Sequence, residues 1–308
     1  MPPFSSIEMQ PDHSNLASSF IKSQLFHKNK LPPASVNLTE MVAIITGGGS
    51  GLGFHCCRQL LKLKLSHLII TARSPRKGEE ARVKLLKEYP NAKIEVWELE
   101  MGSYESIQAL AQRAGQLNRL DIAILNAGLV KVEFELNGST GHEETIQINY
   151  LSTALLSILL LPVLKSKSPK GSPGRLTIVG SGTAYFAAFP NRNEIPIIAS
   201  FDKPPNPNKT ALDPERYWVS KLLGHLFLVK LASYVSAEDV VVNIVEPGLC
   251  KGSQLNRESG GPVGLVMWMV KFFLGRTLEV GASTYVDAAV VKGKEAHGSY
   301  IADWEIKP

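Results

Sequence analysis

The sequence contains little cysteine, only three residues in 308. Such a sparse, odd set gives no disulfide framework and favours a reducing compartment, so we expect a cytoplasmic protein. His55, Cys56 and Cys57 are adjacent, but consecutive positions of a helix point in different directions and do not converge on one ion. We therefore expect no metal site.

Long apolar runs are also absent. No stretch approaches the roughly 18 uninterrupted apolar residues of a transmembrane helix, and residues 1–40 lack the hydrophobic region of a secretory signal. The most apolar segment with a prospect of exposure is GLVMWMVKFFLG, residues 264–275. We interpret it as a pocket wall or an oligomer contact in preference to a membrane anchor.

Neither sign of charge dominates. The 33 Lys and Arg residues stand against 28 Asp and Glu, a net charge of +5, and the one basic block is RSPRK at 73–77. This distribution argues against nucleic-acid binding and favours small anionic ligands. With 44% hydrophobic and 20% charged residues, the composition is that of a soluble globular protein.

The sequence does contain a regular alternation of strands and helices from residue 41 onward. β-branched runs predict about seven strands, at 41–46, 67–71, 92–99, 120–125, 175–180, 240–245 and 299–302. Helices are predicted between them at about 52–65, 75–88, 103–117, 141–165, 215–234 and 279–291. Near-continuously apolar strands joined through helices predict a single α/β domain at 41–308, preceded by an extension at 1–40. Its fold would be a Rossmann-type, doubly wound parallel sheet with helices on both faces.

Residues 184–212, which include KPPNPNK, interrupt this alternation. No clear strand or helix is predicted there, and long loops in compact domains are commonly lids or disordered segments. We expect this insertion to cover a pocket and influence substrate choice. A peripheral loop is the alternative.

The glycine-rich stretch TGGGSGLG, residues 46–53, joins the first predicted strand to the first helix. Backbone amides at that helix start can hold a pyrophosphate, where the helix dipole favours negative charge. A strand, a glycine loop and a helix in this order predict dinucleotide binding. The residues expected to contribute are Gly47, Ser50, Gly51, Leu52 and Gly53.

The end of the second predicted strand bears on the choice of dinucleotide. An acidic residue there would bind the adenosine ribose hydroxyls of NAD, but the sequence reads TAR, with Arg73 at its end. A guanidinium binds a phosphate bidentately, so Arg73 predicts NADP(H).

The predicted helix ERYWVSKLLGHLFLV, residues 215–229, carries two polar side chains on an apolar background. Tyr217 and Lys221 are four residues apart and therefore share one helix face. Taken alone, the pair is either a half-buried tyrosine beside a lysine that reaches solvent or a catalytic pair.

Together, these features resemble the short-chain dehydrogenase/reductase family, from about residue 40 to 303. TGGGSGLG is similar to its T-G-x-x-x-G-x-G loop, LNAG (125–128) to its N-A-G element, and VEPGL (245–249) to its Pro-Gly loop. Tyr217 and Lys221 match Y-x-x-x-K, and Asn149 and Ser181 match the rest of the catalytic tetrad. INYLSTALLSILLLPVLK and HGSYIADWEI further resemble fungal retinol-dehydrogenase-like members, many of which serve secondary metabolism.

The resemblance implies a role for each tetrad residue. Tyr217 exchanges a proton with the substrate oxygen, and Lys221 lowers the pKa of Tyr217 and binds the nicotinamide ribose. Ser181 donates a hydrogen bond to the substrate carbonyl, and Asn149 holds a water that relays protons to Lys221. Further cofactor contacts are implied for Glu100, Asn126, Ala127, Gly128, Tyr217, Lys221, Pro247, Gly248 and Ser253.

Two of these positions depart from the family pattern. Glu100 stands where an aspartate usually contacts the adenine. No threonine directly follows Pro247 and Gly248, and Ser253 is its expected substitute.

The resemblance therefore implies an NADP(H)-dependent oxidoreductase that acts on a ketone or secondary alcohol of a small apolar substrate. Two alternatives stay open: a dehydration, epimerisation or cyclisation on the same scaffold, and a non-catalytic NADP-binding regulator. A homodimer or homotetramer is expected by family analogy.

Overall fold

One eight-stranded sheet organises the chain, in the order β3-β2-β1-β4-β5-β6-β7-β8. The computed structural model describes residues 5–10, 15–26, 29–204, 214–253 and 269–308. The strands are β1 Val42–Thr46, β2 His67–Ala72, β3 Lys93–Glu98, β4 Ile122–Leu125, β5 Gly174–Val179, β6 Val240–Val245, β7 Ser299–Ala302 and β8 Glu305–Lys307. The first seven are parallel, which confirms the predicted Rossmann-type sheet.

The strand β8 was not predicted, and it runs antiparallel to β7. The two strands are joined by Asp303 and Trp304, both with positive φ, at 53° and 60°. A two-residue hairpin turn of this kind usually carries Asn, Asp or Gly. Asp303 fits this preference and Trp304 does not, so the sequence carried only half of the usual hairpin signal.

Helices lie on both faces of the sheet, as predicted. The extension before β1 carries one helix that was not predicted, α1 Leu16–Phe26, and the predicted helices are α2 Gly51–Lys62, α3 Pro75–Glu88, α4 Tyr104–Gly115, α5 Glu144–Lys167, α6 Glu215–Ala232 and α7 Leu278–Val286. The successive β1 residues Ile44 and Ile45 are both fully buried, and they belong to the cores on opposite faces. This explains why the strands are apolar throughout instead of alternating.

Within the described part of the chain, α5 is long and apolar enough to cross a membrane. Its Leu156, Leu160 and Leu164 are fully buried in the core beside the sheet. About half of the apolar stretch of α5 is buried in this way, whereas Ile158 on the same helix is exposed.

The insertion at 184–212 is described as far as residue 204, and it is more ordered than the sequence predicted. A 3₁₀ turn covers Gly182–Phe186 and a short helix covers Ile197–Ser200. Phe189 and Phe201 stack with ring centroids 6.1 Å apart. They anchor a small third core, completed by Ile146, Val219 and Leu223.

The strand order reverses between β1 and β4, which both neighbour the centre of the sheet. At such a switch point the loops that follow the two strands diverge and leave a crevice beyond their carboxyl ends. The glycine loop follows β1 and the Asn126 segment follows β4, so both border this crevice.

Candidate active site

Several positions of the glycine loop do not accept a side chain. Gly47 and Gly51 have φ values of +65° and +55°, a region that glycine enters without steric penalty. A Cβ at Gly53 would lie 2.5 Å from the Gly47 carbonyl oxygen and 2.7 Å from Asn126 Nδ2. The loop therefore presents its backbone, unobstructed, at the start of α2.

The segment after β4 holds this loop in place. Asn126 Nδ2 donates to the carbonyls of Thr46, at 2.8 Å, and Gly47, at 3.3 Å. The backbone N–H of Ala127 donates to Thr46 Oγ1 at 2.9 Å. Asn126 and Ala127 thus hold the glycine loop in place by hydrogen bonds, and both also line the cavity.

One cavity of about 1060 Å³ runs along the carboxyl ends of the strands. Of the residues predicted from the sequence for catalysis or cofactor binding, all but Asn149 line it. These are Gly47, Ser50, Gly51, Leu52, Gly53, Arg73, Glu100, Asn126, Ala127, Gly128, Ser181, Tyr217, Lys221, Pro247, Gly248 and Ser253. Positions that are far apart in the sequence thus converge on one site.

Tyr217 and Lys221 project from α6 into this cavity. Lys221 Nζ donates to the carbonyl of Val179 at 3.1 Å and lies 5.6 Å from the ring centroid of Tyr217. Burial lowers the pKa of Lys221 to about 8. Burial also raises the pKa of Tyr217 to about 12, opposed by a hydrogen bond with Ser181 and reinforced by the nearby Glu246. Lys221 is not among the groups that shift the Tyr217 pKa here, so the lowering by Lys221 that the resemblance implied stays a prediction.

Ser181 follows β5 and caps the 3₁₀ turn. Its Oγ accepts from the backbone N–H of Thr183 at 3.2 Å and from the Thr183 hydroxyl at 2.9 Å. Since both bonds use serine lone pairs, the serine proton is left for the hydrogen bond with the Tyr217 oxygen, which opposes the rise in the Tyr217 pKa. Thr183 was not identified from the sequence.

Asn149 lies behind the cavity, in the π-helical section Gln147–Ser152 of α5. Its Nδ2 donates to the Leu129 carbonyl at 2.8 Å and to Ser220 Oγ at 3.1 Å, and its Oδ1 accepts from the Leu129 N–H at 2.9 Å. Both amide protons are used, so any water would be held by an oxygen of this residue. A Cβ at Gly128 would lie between Asn149 Oδ1, at 3.1 Å, and Lys221 Nζ, at 3.7 Å.

The end of the cavity beside β2 is lined by charged side chains of both signs. Arg73 Nε lies 3.9 Å from Glu100 Oε2, with the two side chains 68% and 40% exposed. Glu100 Oε1 accepts the N–H of Gly102 at 2.9 Å. Lys77, the last residue of the basic block RSPRK, also lines the cavity, as does Lys84, which was not named from the sequence.

The chain beyond β6 contributes two further polar groups to the cavity. Ser253 Oγ donates to the Cys250 carbonyl at 3.1 Å, and Lys271 Nζ donates to Ser253 Oγ at 3.3 Å. Lys271, whose pKa burial lowers, belongs to the apolar segment 264–275. Residues 264–268 lie outside the described residues, whereas Lys271 lines the cavity and Phe273 is exposed.

Glu246 is the group in the site that the sequence analysis missed most clearly. It directly precedes Pro247, and its Oε2 accepts the backbone N–H of Gly182. Burial raises the pKa of Glu246, and the neighbouring charge of Asp303 adds to that rise. An acidic residue directly after an apolar strand, at the edge where ligands bind, was the available signal.

Within the described ranges, no three His, Cys, Asp or Glu side chains are grouped so that they could hold a metal ion. Cys56 and Cys57 are buried in the core, and burial raises the pKa of both thiols.

Comparison with known proteins gives close relatives along the chain. Residues 41–192 match the profile of the short chain dehydrogenase family. Short chain dehydrogenase/reductase mfmJ of Annulohypoxylon moriforme is 53% identical over 94% of this chain and 84% of its own length. Short chain dehydrogenase opdN of Penicillium oxalicum is 42% identical over 94% and 95% of the two chains.

Solved structures share the fold at lower identity. The Pseudomonas aeruginosa RhlG/NADP active-site complex has a TM-score of 0.63 at 23% identity, over 86% of this chain and 95% of that one. The NADPH-dependent 3-quinuclidinone reductase of Rhodotorula rubra has a TM-score of 0.63 at 21% identity, over 90% and 96%.

Proposed function

This chain belongs to the short-chain dehydrogenase/reductase family, and we propose that it is an NADP(H)-dependent ketoreductase. It would move hydride between nicotinamide and a ketone or secondary alcohol of a small apolar substrate. The observation that carries the proposal is that Ser181, Tyr217 and Lys221 line the same cavity as the glycine loop.

The residues at the β1–α2 junction fit a dinucleotide. Substitution at Gly53 would obstruct the turn, and no atom lies within 4 Å of a Cβ placed at Gly51, so the loop backbone has space beside it. The start of α2, with its unpaired N–H groups, favours a pyrophosphate there. A bound nicotinamide cofactor supplies or accepts the hydride.

NADP(H) is favoured over NAD(H) by the charges beside β2. Arg73, Lys77 and Lys84 line that end of the cavity, against Glu80 and Glu100. The Arg73–Glu100 contact is long and exposed, so it holds the guanidinium weakly. Arg73 is therefore available for the 2′-phosphate, which a guanidinium binds through charge-assisted hydrogen bonds.

The catalytic roles follow from where the protons are. Tyr217 is protonated at neutral pH and can give its proton to a substrate oxygen. Ser181 can donate its hydroxyl proton to the same oxygen and stabilise developing negative charge. The cationic form of Lys221 stabilises the tyrosinate that remains.

The substrate class is inferred from the walls beside Tyr217. Phe186 and Trp218, with ring centroids 5.7 Å apart, line the cavity together with Leu129 and Val130. These walls favour an apolar, partly aromatic substrate. The fungal relatives and the resemblance to retinol-dehydrogenase-like proteins favour a secondary metabolite.

Exposed apolar side chains bear on the assembly of the protein, and its cysteines bear on its location. Ile158 on α5 and Leu226 and Val229 on α6 are apolar and about half exposed. These exposed apolar side chains and the family analogy favour a homodimer or homotetramer. The three cysteines are all unpaired, which fits the reducing cytoplasm.

The test is NADPH oxidation with a panel of polycyclic and polyketide-like ketones, comparing the wild type with Tyr217→Phe. We expect turnover by the wild type and a loss of about 10²–10⁴-fold in the variant, the usual contribution of a general acid. Tight NADPH binding without net oxidation of NADPH by any ketone would favour a non-redox reaction or a regulator. Turnover that survives the substitution would remove Tyr217 from the mechanism.

A further inference from the structure

The extension before β1 contributes a helix to the catalytic cavity. Ser19, Phe20, Ser23 and Gln24, all on α1, line it together with the tetrad and the glycine loop. The family motifs begin only at Thr46, so none of them accounts for this helix. Its inner residues meet the loop after β6, which holds Pro247 and Gly248.

Gln24 makes the direct contact with that loop. Its Oε1 accepts the backbone N–H of Leu249 at 3.1 Å. A Cβ placed at Gly248 would lie 2.8 Å from Gln24 Nε2. The absence of a side chain at Gly248, whose φ is +71°, therefore lets the helix approach the loop this closely.

A buried ion pair fixes α1 in this position. Arg276 and Asp303 are 8% and 5% exposed and form a salt bridge. Arg276 donates from Nη2 to the Ser23 carbonyl at 2.7 Å and from Nη1 to the Pro247 carbonyl at 3.3 Å. Asp303 accepts from Ser23 Oγ at 2.8 Å.

The position of Ser23 in α1 explains why its carbonyl binds the cationic Arg276. Its carbonyl belongs to the last turn of α1, where backbone oxygens have no partner within the helix. The dipole of the helix also favours positive charge at this end. Arg276 thus joins the end of α1 to the Pro247 loop in one hydrogen-bonded node.

We propose that α1 is a positioning wall of the active site. Gln24, a positioning residue, holds the Leu249 backbone and thereby orders the loop Pro247–Cys250. This loop follows Glu246, which accepts the Gly182 N–H, so it lies beside the turn that carries Ser181, where the nicotinamide end of the cofactor would react. The inference rests on the proposed function, because the loop acts on nicotinamide only in a dehydrogenase that binds NADP(H).

The experiment separates the two ends of the cofactor. Calorimetry would measure the binding of NADPH and of adenosine 2′,5′-bisphosphate, which lacks nicotinamide, to the full-length wild type and Gln24→Ala. We expect NADPH binding to weaken about 3–10-fold in the variant, the effect of one lost hydrogen bond. Binding of the bisphosphate should stay unchanged.

Two further variants complete the design. Gln24→Glu keeps an oxygen acceptor for the Leu249 N–H and should restore NADPH binding. Leu25→Ala changes the next residue, which is 51% exposed, and should bind both ligands as the wild type does.

The outcomes distinguish this inference from the proposed function. A wild type that binds no NADPH would overturn both. Wild-type binding of NADPH by Gln24→Ala would overturn the positioning role alone. Equal weakening of NADPH and bisphosphate binding would also overturn it, since the effect would then be a general loss of structure.

Discussion

Lys221 Nζ donates a hydrogen bond to the carbonyl of Val179 at 3.1 Å and lies 5.6 Å from the ring centroid of Tyr217. Burial acts on both residues, and it raises the pKa of the tyrosine, which is protonated at neutral pH in any case, to about 12. The lysine, with its pKa lowered to about 8, is close to losing its charge. Lys221 is therefore the member of the pair whose protonation changes near physiological pH.

We expect ketone reduction to fall as the pH rises through the pKa of Lys221. Below pH 8 the lysine is cationic and stabilises the tyrosinate that forms when Tyr217 gives up its proton. The profile of kcat/KM should therefore be level on the acid side of pH 8 and decline above it. In Lys221→Arg the decline should move to higher pH, because a guanidinium keeps its charge. A decline at the same pH in both proteins would assign it to another group.

Cofactor choice should depend on Arg73. Replacing Arg73 with Gln removes a charge-assisted phosphate contact, so NADPH binding should weaken by about 10–100-fold while NADH binding changes little. Calorimetry with both nucleotides measures the difference. Arg76→Gln is the matched control, because Arg76 is 77% exposed and pairs with Glu80. Equal effects of the two variants would mean that only the general field of the basic residues matters.

Removing the charge of Glu100, the carboxylate beside Arg73, should have the opposite effect on NADPH binding. In Glu100→Gln the guanidinium loses its contact at 3.9 Å, and a negative charge leaves the end of the cavity where the phosphate would bind. NADPH binding should then strengthen modestly, by about 2–5-fold, as expected for an exposed charge. Weaker binding would show instead that the Glu100 carboxylate contacts the nucleotide, as the family pattern suggested.

Nucleotide binding should be lost when Gly53 becomes alanine. The new methyl group would lie 2.5 Å from the Gly47 oxygen, so the loop would have to move away from the start of α2. We expect NADPH binding to weaken more than about tenfold, and fluorescence titration would measure it. Gly115→Ala, at the end of α4 where no atom lies within 4 Å of the new Cβ, should bind normally. Normal binding by Gly53→Ala would show that the loop tolerates the displacement.

Glu246 should matter as a hydrogen-bond acceptor and not as a charge. Glu246→Ala leaves the Gly182 N–H without its partner, which would loosen the turn that carries Ser181. We expect kcat/KM for ketone reduction to fall about tenfold, the effect of an unsatisfied donor. Glu246→Gln keeps an acceptor oxygen and should stay within about threefold. If the glutamine variant is as impaired as the alanine variant, the ionised carboxylate itself is required.

Local patterns in the sequence determined much of this protein. The apolar runs predicted the seven parallel strands, because a strand buried on both faces needs apolar residues at successive positions, as at Ile44 and Ile45. The glycine loop and the spacing of Tyr217 and Lys221 were equally visible, since each depends on residues within one turn or one helix. Such short-range features can be predicted from the sequence because neighbouring residues alone produce them.

Only the tertiary structure decided which distant groups meet. Glu246 reaches Gly182, and Gln24 reaches Leu249, across 64 and 225 positions of the chain. No periodicity or motif records contacts of that kind, because they depend on how the loops after β5 and β6 and the helix α1 are placed together. Burial is decided in the same way, and it sets the pKa of Lys221 and of Tyr217. The sequence supplied the chemical groups, and packing determined their surroundings.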